Sequence, residues 1–194
     1  MEIDSFLRDP LSRRRFLRTS GAGLAGGSAV VLAACGDDDK TGSGAGSDEQ
    51  DKADVEILNG ALDLELMSIA AYKEGAALLQ GGVLQVAKGF LEQEQAHADA
   101  LVSAIRDAGG TPNTAKKSYD FPRLRSQGDA LKFAIELEET AVAAYIDALP
   151  KLTKGDLRGT AAAILTTEAE HIAVLRDTLG MAPVADAFVT GKLR

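Results

Sequence analysis

Both histidines of the chain stand in the same four-residue pattern, Glu-x-x-His: Glu94-Gln95-Ala96-His97 and Glu168-Ala169-Glu170-His171. Residues three apart on a helix share a face, so each pattern would aim a carboxylate and an imidazole the same way. Both groups ligate metals when deprotonated, and mixed nitrogen–oxygen donor sets suit iron or manganese. One such pattern on a helix says little. Two that use every histidine of the chain say more, if both face a core.

Apolar periodicity decides which way they face. Residues 55–80 carry Ile57, Leu58, Ala61, Leu62, Ile69, Tyr72, Ala76 and Leu79 at helical spacing, with Gly81-Gly82 as the expected stop. A second helix is expected over 83–108, with the stripe Ala87, Phe90, Leu91, Ala98, Leu101 and Ile105, ended by Gly109-Gly110. A third spans about 129–149, up to Pro150, and a short turn leads to a fourth over about 156–179, with the stripe Ala161, Ile164, Leu165, Ile172, Leu175 and Leu179, closed by Gly180. Residues 109–127 hold Pro112, Pro122 and no periodicity, and the tail 181–194 is too weakly patterned to assign.

Glu94, His97, Glu168 and His171 lie inside these stripes. So do Glu65, between Leu62 and Ile69, and Glu138, between Ile135 and Val142. Glu92, Asp99, Glu139 and Glu170 fall off the stripes and read as solvated, and Met67 is off the stripe too. Two short connections and one long one specify two helical hairpins joined by a crossover. Helices of ~20–25 residues are ~30–38 Å long, and an extended connection of about nineteen residues can run back along them.

The two hairpins are copies of each other. Residues 63–72 align with 136–145 at an offset of 73, and 91–101 align with 165–175 at an offset of 74. Such a repeat should build a site with pseudo-two-fold symmetry.

Four carboxylates in a bundle core are costly unless compensated. Two divalent ions offset their charge, and two neutral imidazoles complete the donor set. One Glu from each of two helices, plus Glu-x-x-His from each of the other two, resembles the ferritin-like di-iron and di-manganese carboxylate superfamily over about residues 55–180. Within it the chain looks most like the exported bacterial ferritin-like domain proteins. The resemblance implies an all-α, ferritin-like four-helix bundle holding two Fe or Mn ions on Glu65, Glu94, His97, Glu138, Glu168 and His171. It further implies bridging roles for Glu94 and Glu168, terminal roles for Glu65 and Glu138, and one histidine per metal.

Tyr72 and Tyr145 each follow a candidate ligand glutamate by seven residues, two turns along the same face. Each reads equally as a phenol that hydrogen-bonds or quenches radicals near the metals, or as a core aromatic with its hydroxyl at a wet end.

The first fifty residues read as an address and a tether. Ser12-Arg13-Arg14-Arg15-Phe16-Leu17-Arg18 resembles the twin-arginine export signal of bacteria. An apolar, glycine-rich stretch over 21–34 follows, of signal-peptide length. It ends in Leu32-Ala33-Ala34-Cys35-Gly36, which resembles a lipobox with Cys35 as the lipidated residue. Residues 1–34 are therefore expected to be a cleaved signal, 35–54 a flexible acidic linker, 55–180 the bundle and 181–194 a tail. The expected destination is extracytoplasmic, with the protein lipid-anchored to the cell membrane through Cys35. Losing residues 1–34 removes five arginines and three acids, taking the net charge from −8 to −10.

With 194 residues, 45% hydrophobic and 5% aromatic, the composition suits one helical domain with tails. The acidic balance argues against a nucleic-acid partner. The single cysteine excludes an all-cysteine metal site within one chain, so any redox function needs an external electron donor. The other partner expectations are the membrane and a second copy in a homodimer. Three functions follow: a di-metal oxidoreductase acting on O2, peroxide or Fe(II), in the manner of a ferroxidase or peroxidase; a metal-binding or stress-protective surface lipoprotein without turnover; and a structural bundle that docks a partner on its acidic surface. The last leaves the inward-facing ligands unexplained.

Overall fold

The structure, a computed structural model, describes residues 44–191, with side chains from Asp48 onward. The export motif, the lipobox with Cys35 and the first part of the expected linker lie outside the described residues. Within them are four long helices: α1 (Gly44–Gly75), α2 (Gly81–Asp107), α3 (Gln127–Ala148) and α4 (Gly155–Thr178). A single 3-10 turn, Ala76–Leu78, finishes α1. No strand occurs among the described residues, and the chain is all-helical as expected.

The helices pair as α1–α2 and α3–α4, with α1 also packed on α3 and α2 lying more loosely beside α4. The C-terminal end of α1 meets the start of α3, where Gln127 accepts from the Gln80 amide. At the opposite end, Asp54 of α1 holds Thr153 beyond α3. Helices α1 and α3 are therefore antiparallel, and residues 108–126 must travel the length of the bundle. They run along α1: Asn59 accepts from the Asn113 amide and donates to the Thr111 carbonyl, and Asn113 donates to Asp63. This is the two-hairpin, long-crossover topology of the sequence reading.

Local signals explain the boundaries. Ser126 caps α3 by accepting from the Asp129 amide, while the Asp129 carboxylate accepts from Arg125, a reciprocal N-terminal clasp. Helix α2 ends in a Schellman turn, in which Gly109 takes φ 77° and Gly110 donates back to Ile105.

Three expectations change. The residues expected as a linker to 54 are helical from Gly44. The cause is a long-range clasp: buried Asp54 accepts from both the amide and hydroxyl of Thr153, and Asp51 pairs with Lys154. Gly81 opens α2 rather than stopping α1, which has already ended in its 3-10 turn. Glu139 is not solvated, because Arg176 of α4 pairs with it at 3.3 Å and leaves it 13% exposed. The unassigned tail returns to α3, where Gly191 passes so close that any Cβ would strike the Glu139 carbonyl and the Ala143 amide.

Two apolar clusters fill the bundle. One gathers Leu58, Leu62, Leu101, Ile105, Leu152 and Ile164; the other gathers Leu79, Ala87, Phe90, Leu131, Ala134 and Leu175. A fully buried Leu or Ile of this kind contributes ~1.5–3 kcal/mol. The stripes of α2 and α4 place Glu94, Glu168 and His171 among these buried residues.

Candidate metal centre

Each helix delivers its candidate ligands from the middle of its buried face: Glu65 from α1, Glu94 and His97 from α2, Glu138 from α3, Glu168 and His171 from α4. The four glutamates and His171 are at most 1% exposed, and the His97 side chain is 12% exposed. Their donor atoms form two groups, each within a 4.8 Å span: Glu65, Glu94, His97 and Glu168; and Glu94, Glu138, Glu168 and His171. All six sequence-derived residues meet, and Glu94 and Glu168 belong to both groups.

Both imidazoles turn Nδ1 inward. His97 Nδ1 lies 3.0 Å from Glu168 and 3.5 Å from Glu65. His171 Nδ1 lies 3.1 Å from Glu168, 3.2 Å from Glu94 and 3.4 Å from Glu138. The tyrosines are buried and cross between halves: Tyr72 donates to Glu138, and Tyr145 donates to Glu65 at 2.5 Å. Of the two readings of these phenols, a hydroxyl at a wet end is not what is found. Each seven-residue spacing serves the glutamate of the other hairpin.

The electrostatics are those of crowded acids in a dry layer. Burial, reinforced by the Glu138 charge, pushes Glu94 up to about 10 despite the His171 imidazole 3.2 Å away. Burial likewise raises Glu138 to about 7, while His171 pulls it back. Glu168 goes the other way: burial acts to raise it, but the hydrogen bond from His171 and the His97 imidazole 3.0 Å away hold it at about 2. Burial acts to lower the imidazoles, yet the carboxylates around them win, leaving His97 at about 10 and His171 at about 11. Burial and the adjacent carboxylates keep both tyrosines protonated, and therefore hydrogen-bond donors.

The residues fit a metal pair by a direct criterion. Glu65 Oε2, Glu94 Oε1, Glu138 Oε2, Glu168 Oε1 and His97 Nδ1 are buried and, close as the carboxylates and imidazoles stand, none of them makes an aligned hydrogen bond. Among the described residues, the only other buried side-chain atom in that state is Arg176 Nε. Unpaired buried polar atoms cost ~1–3 kcal/mol each, so five converging on one point call for a ligand that satisfies them together. Divalent metal ions would do so.

One neighbour had no signature in the sequence: Gln93, exposed on α2, accepts from His171 Nε2 at 2.7 Å. Phe90, on the expected apolar stripe of α2, stacks on the His171 ring at 4.0 Å. Beside Tyr72 lies an apolar cavity of about 20 Å³, lined by Ala71, Ala87, Leu131, Ala134 and Leu175 among others. Its size admits about one water-sized molecule.

Comparison with known proteins agrees with this geometry. The family described as ferritin-like domain matches residues 53–181. Among solved structures, a conserved hypothetical protein of Mycobacterium tuberculosis is 26% identical, with a TM-score of 0.65 over 72% of this chain and 99% of its own. A ferritin-like, diiron-carboxylate protein of Bacillus anthracis is 25% identical, with a TM-score of 0.59 over 67% of this chain and 97% of its own. The bacterioferritin of Desulfovibrio desulfuricans shares the fold at 19% identity, with a TM-score of 0.63 over 71% of this chain and 82% of its own. No curated protein matches the sequence.

Proposed function

The chain belongs to the ferritin-like domain family, and from that premise we propose that its core holds two iron or manganese ions used in redox chemistry with O2, peroxide or Fe(II). The observation that carries this reading is the convergence of five unpaired buried ligand atoms on one layer of the bundle. The similarity to a diiron-carboxylate protein supports it. Glu94 and Glu168, common to both ligand groups, would be shared between the ions, while Glu65 with His97 and Glu138 with His171 would each serve one. A bound pair of redox-active ions supplies the electrons for reducing a small oxidant.

The protein's own groups do the rest. Tyr72 and Tyr145 fix Glu138 and Glu65 by donating to them, leaving the second oxygen of each carboxylate free to ligate. The apolar clusters above and below exclude water, and the small apolar cavity beside Tyr72, which donates to Glu138, has room for a molecule the size of O2. The chain's single cysteine sits in the lipobox, so the reductant comes from outside.

The twin-arginine and lipobox patterns support export and a lipid tether at Cys35. No helix among the described residues is long and apolar enough to cross a membrane, so in this reading Cys35 carries the attachment. The test of turnover is stopped-flow mixing of the protein with Fe(II) and O2, or with peroxide. Oxidation much faster than in a Glu94→Ala/Glu168→Ala variant supports the enzyme. Equal rates from wild type and variant leave a non-catalytic metal-binding module.

A further inference from the structure

The two halves of the centre receive unequal support. The His171 ring is held on both sides: Nε2 donates to Gln93 at 2.7 Å, and Phe90 stacks on it with planes 28° apart. His97 is the partly exposed ligand, and its Nε2 makes no hydrogen bond among the described residues. The internal repeat shows what is missing. Its 74-residue offset, which carries His97 onto His171, carries Gln93 onto Thr167 and Phe90 onto Ile164. The Thr167 hydroxyl turns back to its own helix, donating to the Ala163 carbonyl at 3.3 Å.

A neutral imidazole ligates through Nδ1 only as the tautomer protonated at Nε2. A fixed acceptor at Nε2 orients the ring before the metal arrives and keeps the Nε2 proton in place when the Nδ1 proton leaves. A ring facing solvent must be ordered on binding. We propose that Gln93 is a positioning residue that makes the two metal positions unequal. The His171 position, with Glu94, Glu138 and Glu168, fills first and retains its ion. The His97 position, with Glu65, Glu94 and Glu168, fills second and exchanges. The inference rests on the proposed metal pair.

Partners that orient a ligating histidine are typically worth ~10–100-fold in affinity. Gln93 is exposed, so replacing it does not open the core. The experiment is calorimetric titration of Co(II) into the metal-stripped full chain, with the Co(II) absorption spectrum followed in parallel. Two steps separated by ~10-fold or more are expected. His171→Ala should remove the tighter step and His97→Ala the weaker one. Gln93→Leu should weaken the tighter step by ~10–100-fold and leave the weaker step in place. Thr167→Gln, which installs the missing acceptor on α4, should tighten the weaker step. Two ions bound with indistinguishable affinity, or a Gln93→Leu change that shifts both steps equally, overturns the inequality while leaving the metal centre intact. No Co(II) uptake at all overturns the metal centre itself.

Discussion

Loading the centre should expel about three protons. Without metal, His97 and His171 each hold a proton to about pH 10 or above, and Glu94 holds one to about 10. Each must release it to ligate. At pH 7.5 about three protons should therefore leave per filled centre, plus a fraction from Glu138 at about 7. The product of the two binding constants should then rise ~1000-fold per pH unit between about 7 and 9, one decade per proton. The same shifts fix the stability of the metal-free bundle. The folded pKa values of His97, His171 and Glu94 lie above their unfolded values, so their contribution is present at low pH and is lost as pH rises through the folded values. Glu168 is depressed, so its contribution is lost as pH falls below about 4.5 toward 2. The metal-free protein should be most stable near pH 5 and weaken toward pH 9, by at most ~1.4 kcal/mol per proton per unit. The loaded protein should change far less. Proton release is read by titrating Mn(II) calorimetrically in two buffers of different ionisation enthalpy, and stability by urea unfolding across pH. Fewer than about one proton per centre, or an affinity flat in pH, would refute the protonation scheme.

Other outcomes follow from single contacts. Tyr145→Phe removes the donor to buried Glu65 and should lower the stability of the metal-free protein by ~1–3 kcal/mol, seen as a lower urea midpoint with an unchanged slope. Asp54→Ala breaks both bonds to Thr153, 99 residues away, and should cost a similar ~1–3 kcal/mol. It should also speed hydrogen exchange in the first turns of α1, and unchanged exchange there would show that the clasp does not hold them. Cys35→Ala should move the protein from the membrane to the soluble fraction, and unchanged fractionation would count against lipidation.

The parts of this molecule legible in the sequence are those governed by local rules. The buried faces of α2 and α4 follow the apolar stripes through Phe90, Leu101, Ile164 and Leu175, because a 3.6-residue period maps directly onto a helix face. The six candidate ligands could be read because they sit on those stripes and repeat at fixed offsets. What could not be read depends on pairs far apart in the chain. Asp54 lies in a polar, low-complexity run, and only the folded arrangement brings Thr153 to it and makes the preceding residues helical. Glu139 is off its stripe but finds Arg176 on the neighbouring helix. Gln93 is an exposed residue whose partner stands 78 positions away, so periodicity assigns it to solvent. Tyr72 and Tyr145 were placed on the correct faces, but the glutamate each would meet is decided by how the hairpins cross, not by spacing.

The most direct measurement is a crystal structure of the protein purified from its native source, with anomalous scattering collected at the iron and manganese edges. Two anomalous peaks per chain are expected, one beside His97 Nδ1 and one beside His171 Nδ1, both contacting Glu94 and Glu168. A map with no peak in that layer, in protein that also takes up neither ion when stripped and reloaded, would contradict the metal centre.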